Sequence, residues 1–155
     1  MQHAKIYAGA RLMLTAVAVA ACLSVVAAGA ALAAEREPLK PRVPGDRLEE
    51  LRKQANPVAV TAESIQRGEA VFRGVGSCNV CHGETGDGKG IGASGLDPSP
   101  RDLTNAKWQK ARSDGELMWV LKHGSPGTAM ITVVPGLISE EDGWNVINFV
   151  RSLKK

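Results

Sequence analysis

Hydrophobic positions fall into distinct regimes along the chain. From Leu12 to Ala33 they run nearly unbroken, with Thr15, Ser24 and Gly29 as the interruptions. Residues 35–60 are different, broken by Pro38, Pro41, Pro44 and Pro57 and dominated by charge. Within them Asp46 and Glu49 are placed to cap a short helix carrying Leu48 and Leu51. Beyond Thr61 the helical period takes over. Ile65, Gly68, Val71 and Phe72 predict a helix over about 62–73, with Thr61 as its N-cap and Gly74 and Gly76 ending it. A short helix near 104–111 carries Trp108. Ser113 and Glu116 form a capping box that opens a helix with Leu117, Met118, Val120 and Leu121 inward, ending at Gly124. Ser139 and Asp142 start the last helix, whose buried stripe is Trp144, Ile147, Val150 and Leu153, bordered by Phe149. Alternation of strand type extends no further than Ile131–Val134, so the pattern predicts an all-α domain with long loops.

Residues 1–34 read as an export signal. Lys5 and Arg11 form a basic start, the apolar stretch follows, and Ala31-Leu32-Ala33 is an A-x-A cleavage pattern with charges directly after it. The run is also long enough to span a bilayer if it is retained as an anchor. Cys22, after Val19-Ala20-Ala21, resembles a lipoprotein processing site, although the chain stays apolar beyond it. Periplasmic location is therefore expected, with membrane association if the leader is kept or Cys22 is lipidated. The division expected is a leader (1–34), a Pro-rich charged linker or arm (35–60) and a domain (61–155).

Setting the leader aside changes the composition. The 44% apolar share of the whole chain is inflated by it. After residue 34 the aromatics are Phe72, Trp108, Trp119, Trp144 and Phe149. So small a core excludes a multidomain enzyme or a large barrel, and something other than side chains is expected to fill the middle. The same segment holds 17 basic and 16 acidic residues. It shows no basic stripe with interleaved aromatics, so nucleic acid is not an expected partner.

Beyond Cys22 the cysteines are Cys78 and Cys81, followed at once by His82. Cys-x-x-Cys-His is the attachment pattern of a c-type haem. Each thiol adds to one porphyrin vinyl group, the two intervening residues set the sulfurs at the vinyl spacing, and the histidine lies under the iron. The other nitrogen of His82 should donate to a backbone carbonyl, and the loop containing Pro98 and Pro100 is the expected source. Other readings of the cysteines are a disulfide, a thioredoxin-like dithiol, which needs a βαβ context, and a zinc site completed by His123. For the opposite face of the iron Met130 is favoured, because it sits in a Gly/Pro-rich loop that can aim a thioether. Met118, at core spacing, and His123, at a helix end, are the rivals. The run Gly83, Gly86, Gly88, Gly90, Gly92 loosely fits a dinucleotide pattern, but the simpler expectation is backbone lying against the porphyrin edge.

From Asn56 to Leu153 the chain resembles the class I mono-haem c-type cytochromes of bacteria. The residues that carry the resemblance are Gly68-x-x-x-Phe72, Cys78-x-x-Cys81-His82-Gly83, the Gly86-x-Gly88-x-Gly90 loop, the Gly124…Met130 loop and the Trp144…Phe149-Val150-Arg151-Ser152-Leu153 terminus. The resemblance implies a small cytochrome c-like fold wrapped around one covalent haem, with the first and last helices crossing at Gly68, Phe72 and Phe149. One departure is Ile131, where the family commonly has proline after the axial methionine. Leu103, Val134 and Trp108 are expected beside the haem, and Arg101 is a candidate propionate partner. The function expected is one-electron transfer rather than catalysis. The chain would serve as a carrier between redox proteins (a dehydrogenase, reductase or oxidase), or as a haem subunit held permanently by one periplasmic oxidoreductase. A haem enzyme or sensor would instead need a labile sixth ligand.

Overall fold

The computed structural model describes residues 39–155. The readings of the leader, its cleavage pattern and Cys22 lie outside these residues. The described chain is helical, with no strand in it. In order the helices are α1 (Leu48–Lys53), α2 (Ala62–Arg73), α3 (Cys78–His82), α4 (Ala106–Ala111), α5 (Asp114–His123) and α6 (Glu140–Ser152). Among the described residues no helix is long and apolar enough to cross a membrane.

Local chemistry sets the helix ends where the sequence placed them. Thr61 Oγ1 accepts from the Ser64 amide at 3.1 Å while Ser64 Oγ accepts from the Thr61 amide, a reciprocal box that starts α2. Ser113 and Glu116 make the same exchange at the start of α5. Ser139 Oγ accepts from the Asp142 amide at α6. The start of α1 differs from expectation: its N-cap is Arg47, with no side-chain cap.

Helices α2 and α6 cross at the heart of the fold. A methyl group added at Gly68 would lie 2.0 Å from the Asn145 carbonyl oxygen and 2.9 Å from Phe149 Cβ, so only glycine admits this approach. One turn on, the Phe72 and Phe149 rings meet edge to face, centroids 5.2 Å apart. The buried face of α6 is wider than the predicted stripe, because every residue from Gly143 to Val150 is buried. Asn148 is buried through its bonding. Its Nδ2 donates to the Val58 and Ala59 carbonyls, and its Oδ1 accepts from Asn56 Nδ2. Leu153, expected in the stripe, is half-buried, and a Cβ at Gly86 would meet its methyl group at 2.6 Å.

The segment ahead of α2 packs on this body from residue 39 onward. Leu51 of α1 is 5% exposed, and Ser113 Oγ donates to its carbonyl. Added to Gly115 of α5, a Cβ would lie 2.2 Å from that same oxygen, so α1 sits directly on the α5 backbone.

Candidate haem site

The Cys-x-x-Cys-His motif forms a single helical turn, α3. Gly76 and Ser77 reverse the chain after α2, the Gly76 amide donating to the Val71 carbonyl at 3.0 Å. Positions i, i+3 and i+4 of a helix share a face. Cys78, Cys81 and His82 therefore project together, and all three line one cavity of about 410 Å³.

A helical turn leaves its last carbonyls without partners. Here glycine amides supply them: Gly83 donates to Asn79 O, Gly92 to Val80 O, Gly90 to Cys81 O and Gly88 to His82 O, at 2.8–3.1 Å. This accounts for the glycine-rich loop and corrects the expectation that it lies along the porphyrin edge. None of Gly83, Gly86, Gly88, Gly90 and Gly92 lines the cavity. A Cβ at Gly90 would instead stand 2.1 Å from the Val80 oxygen. The dinucleotide reading falls with the same observation, as the loop closes on α3 and follows no strand.

His82 is fixed from behind. Its Nδ1 lies 2.9 Å from the Arg101 carbonyl oxygen. A carbonyl only accepts, so Nδ1 carries the proton and Nε2 keeps its lone pair. Burial also lowers the His82 pKa, with the Arg101 hydrogen bond opposing, which favours the neutral ligating imidazole. The carbonyl comes from the residue after Pro100, within the loop the sequence indicated. Burial pushes the Cys78 thiol up to about 11. Cys78 and Cys81 are free and not joined as a disulfide.

Met130 reaches the same cavity from 48 residues further along the chain. Its loop is held without proline. The Ser125 amide donates to Met130 O at 3.0 Å, the Met130 amide to Thr128 Oγ1 at 3.1 Å, and Thr128 Oγ1 to Ser125 O at 2.7 Å. These bonds do the stiffening that a proline at Ile131 would otherwise do. Met118 is 1% exposed and does not line the cavity; a Cβ at Gly143 would stand 2.9 Å from its methyl carbon. His123 stacks on Trp119 at 4.5 Å, with Nδ1 at the Trp119 carbonyl, and does not line the cavity. Among the described residues no cluster of three or more His, Cys, Asp or Glu side chains has metal-ligating geometry, so a zinc site gains no support.

Leu103, Trp108 and Arg101 all line the cavity. Val134 does not. It is packed in the core, 3.1 Å from where a Cβ on Gly143 would be, and Val133 lines the cavity instead. Neighbours in an extended segment point to opposite sides, so reading the wrong one of the two inverts the assignment.

Sequence reasoning missed Arg42, Arg112 and Glu116, which also line the cavity. Arg112 and Glu116 side chains are only 6% and 2% exposed and stand 3.5 Å apart. Burial draws the Arg112 guanidinium below its ordinary pKa, with Glu116 opposing. Glu116 Oε2 accepts from the Ser113 amide, whereas its buried Oε1 accepts no hydrogen bond. Arg112 is extended between α4 and α5, so its approach to Glu116 follows no helical spacing and left no local signal. Arg42 had no signal, because its place depends on how the arm docks.

These features fit a haem. Two thiols and an oriented imidazole project from one face of α3, a thioether enters from another segment, and Phe72, Leu121, Val146 and Ile147 give an apolar lining. The ionisable lining besides Cys78, Cys81 and His82 is Arg42, Arg101, Arg112 and Glu116, an excess of positive charge suited to an anionic edge.

A comparison with curated protein sequences finds no match. Among solved structures, a chain of the Kuenenia stuttgartiensis reducing HAO-like protein complex is similar, with a TM-score of 0.56 and 27% identity over 64% of this chain. The similar region spans 47% of that chain, about half its length. The sequence model of the cytochrome c family matches residues 65–154, from the first helix of the crossing pair to the end of the last. With a haem attachment turn, a cavity to receive the group and this match over more than half its length, the chain belongs to the cytochrome c family.

Proposed function

We propose that this chain is a class I, mono-haem electron-transfer protein of the bacterial periplasm, with Cys78 and Cys81 as thioether anchors and His82 and Met130 as axial ligands. The observation that carries this reading is that all four side chains line one cavity. When bound, the haem supplies reversible one-electron exchange between ferric and ferrous iron. His82 offers Nε2 in a fixed tautomer, set by the Arg101 carbonyl. Met130 offers a soft thioether from a loop tied at Ser125 and Thr128, and a His/Met pair raises the potential. Were His82 and Met130 both to hold the haem iron, no position would be left there for substrate, which favours transfer over catalysis. Val80, Ile131 and Leu137 line the cavity and are 39%, 63% and 52% exposed, an apolar rim where a redox partner approaches.

A second reading has this domain held permanently in an oxidoreductase complex, favoured by the similarity to a chain of a reducing HAO-like protein complex. Gel filtration of native extract separates the two: a free carrier elutes alone, a subunit with its complex.

The ligand assignment is tested by visible spectroscopy of holoprotein. The far-red band of Met–iron ligation disappears in Met130→Ala and survives in Met118→Ala. Survival of the band in Met130→Ala, or rapid carbon monoxide binding by the reduced wild type, overturns the assignment.

A further inference from the structure

The segment ahead of α2 lies outside the stretch matched by the cytochrome c family, which begins at residue 65. It nevertheless supplies two residues, Arg42 and Val43, to the haem cavity. We propose that residues 39–54 are a strap that completes the haem site, presenting Arg42 to a haem propionate and clamping Arg112 from behind for the same purpose. This inference rests on the reading of the cavity as a haem site.

The strap is built to stay in place. Leu51 is buried against α5, and Gly115 is the residue that lets the two backbones touch. Just beyond the strap, Asn56 Nδ2 donates to the Trp144 carbonyl and to Asn148 Oδ1, tying the chain that leaves it to α6. At the near end the Arg112 guanidinium donates to the Leu39 carbonyl. Arg42 follows three residues later, so its Cα lies within about 11 Å of that contact. Arg52 of α1 stands 3.9 Å from Glu116, the carboxylate that also faces Arg112. Strap and cavity wall therefore share one charge cluster.

Within that cluster the charges do not balance. Glu116 is one carboxylate facing two arginines, Arg52 and Arg112. Arg42 is half-buried at the cavity and makes no hydrogen bond or ion pair with another described residue. A half-buried guanidinium without an anion is costly, and a carboxylate placed in the cavity is the partner that removes the cost. Haem carries two such carboxylates. Arg112 Nη2 donates to the Leu39 carbonyl of the strap and Nη1 to the Ala111 carbonyl at 2.7 Å, and the two bonds together fix the plane of the guanidinium, which is what a planar donor needs to meet a carboxylate with its remaining N–H groups.

A cation beside a propionate favours the more electron-rich ferrous state. Removing a unit charge at about 10 Å in a partly solvated site changes the reduced-to-oxidised ratio roughly fourfold at fixed ambient potential. The test is the midpoint potential of matured holoprotein at low ionic strength, with far-UV circular dichroism as the check on folding. Arg42→Gln lowers the potential by the equivalent of that ratio and Arg42→Lys restores most of it. Arg47→Gln removes the same charge from an exposed arginine of the same segment that does not line the cavity, and leaves the potential unchanged. Equal potentials in Arg42→Gln and wild type, equal shifts in Arg42→Gln and Arg47→Gln, or no recovery in Arg42→Lys would overturn the strap while the haem spectrum stays intact. A wild-type protein that carries no covalent haem overturns the underlying reading instead, so the two failures are distinguishable.

Discussion

Replacing Gly68 with alanine tests the crossing on which the cavity depends. The added methyl would stand 2.0 Å from the Asn145 carbonyl oxygen, where ordinary contact needs more than 3 Å. Neither neighbour can swing away, because one is backbone of α6 and the other, Phe149 Cβ at 2.9 Å, is fixed to it. The helices must separate by roughly 1 Å, a gap that forfeits a quarter to a half of each dispersion contact along the seam. The Phe72–Phe149 edge contact, worth about 0.5–1.5 kcal/mol, weakens with them. Overpacking of this kind costs about 1–3 kcal/mol or more, and alanine returns about 1 kcal/mol through helix propensity. The net expectation is a loss of about 2 kcal/mol. In urea, monitored by far-UV circular dichroism of the holoprotein, the midpoint falls by roughly 1–2 M with the slope unchanged. A Gly68→Ala protein within about 0.5 kcal/mol of wild type would refute the argument that this crossing is sterically closed.

Further expectations concern stability away from the iron. Arg67 on α2 holds Asp142 on α6 through two bonds of 2.7 and 3.1 Å, and this keeps the Asp142 carboxyl below its usual range. A depressed carboxyl contributes stability above its unfolded pKa and loses it as pH falls through the folded one. Asp142→Asn therefore costs about 1 kcal/mol near neutrality, ion pair and helix-start position together, and the gap to wild type closes below about pH 4 in acid titrations of the urea midpoint. Met118→Ala empties a site that is 1% exposed and costs about 2–5 kcal/mol by the same urea assay, while the iron keeps its ligands.

How far the sequence disclosed this protein depends on the range of each signal. The ends of α2 and α5 were legible because their capping boxes are closed within four residues, Thr61 with Ser64 and Ser113 with Glu116. The attachment turn was legible because its chemistry needs contiguous residues. Met130, which lines the cavity, was separated from Met118, which does not, by context, a Gly/Pro loop against a helical stripe. What escaped was set by distant contacts. The glycine loop was known to need close approach, but not that the approach was to the carbonyls of Asn79, Val80, Cys81 and His82. Val133 and Val134 differ only in which way a short extended segment faces. Asn148 looks like a surface residue until Val58 and Ala59 cover it. Arg42 lines the cavity from a segment whose packing on the domain, seen at the buried Leu51, no local pattern revealed.

The measurement that bears most directly on the account is the fate of the pigment when matured protein is extracted with acidified acetone. Attachment through Cys78 and Cys81, as proposed, predicts that the haem stays on the polypeptide and that the intact mass equals the polypeptide plus one haem. Colour passing into the acetone, or a mass equal to the polypeptide alone, would contradict it.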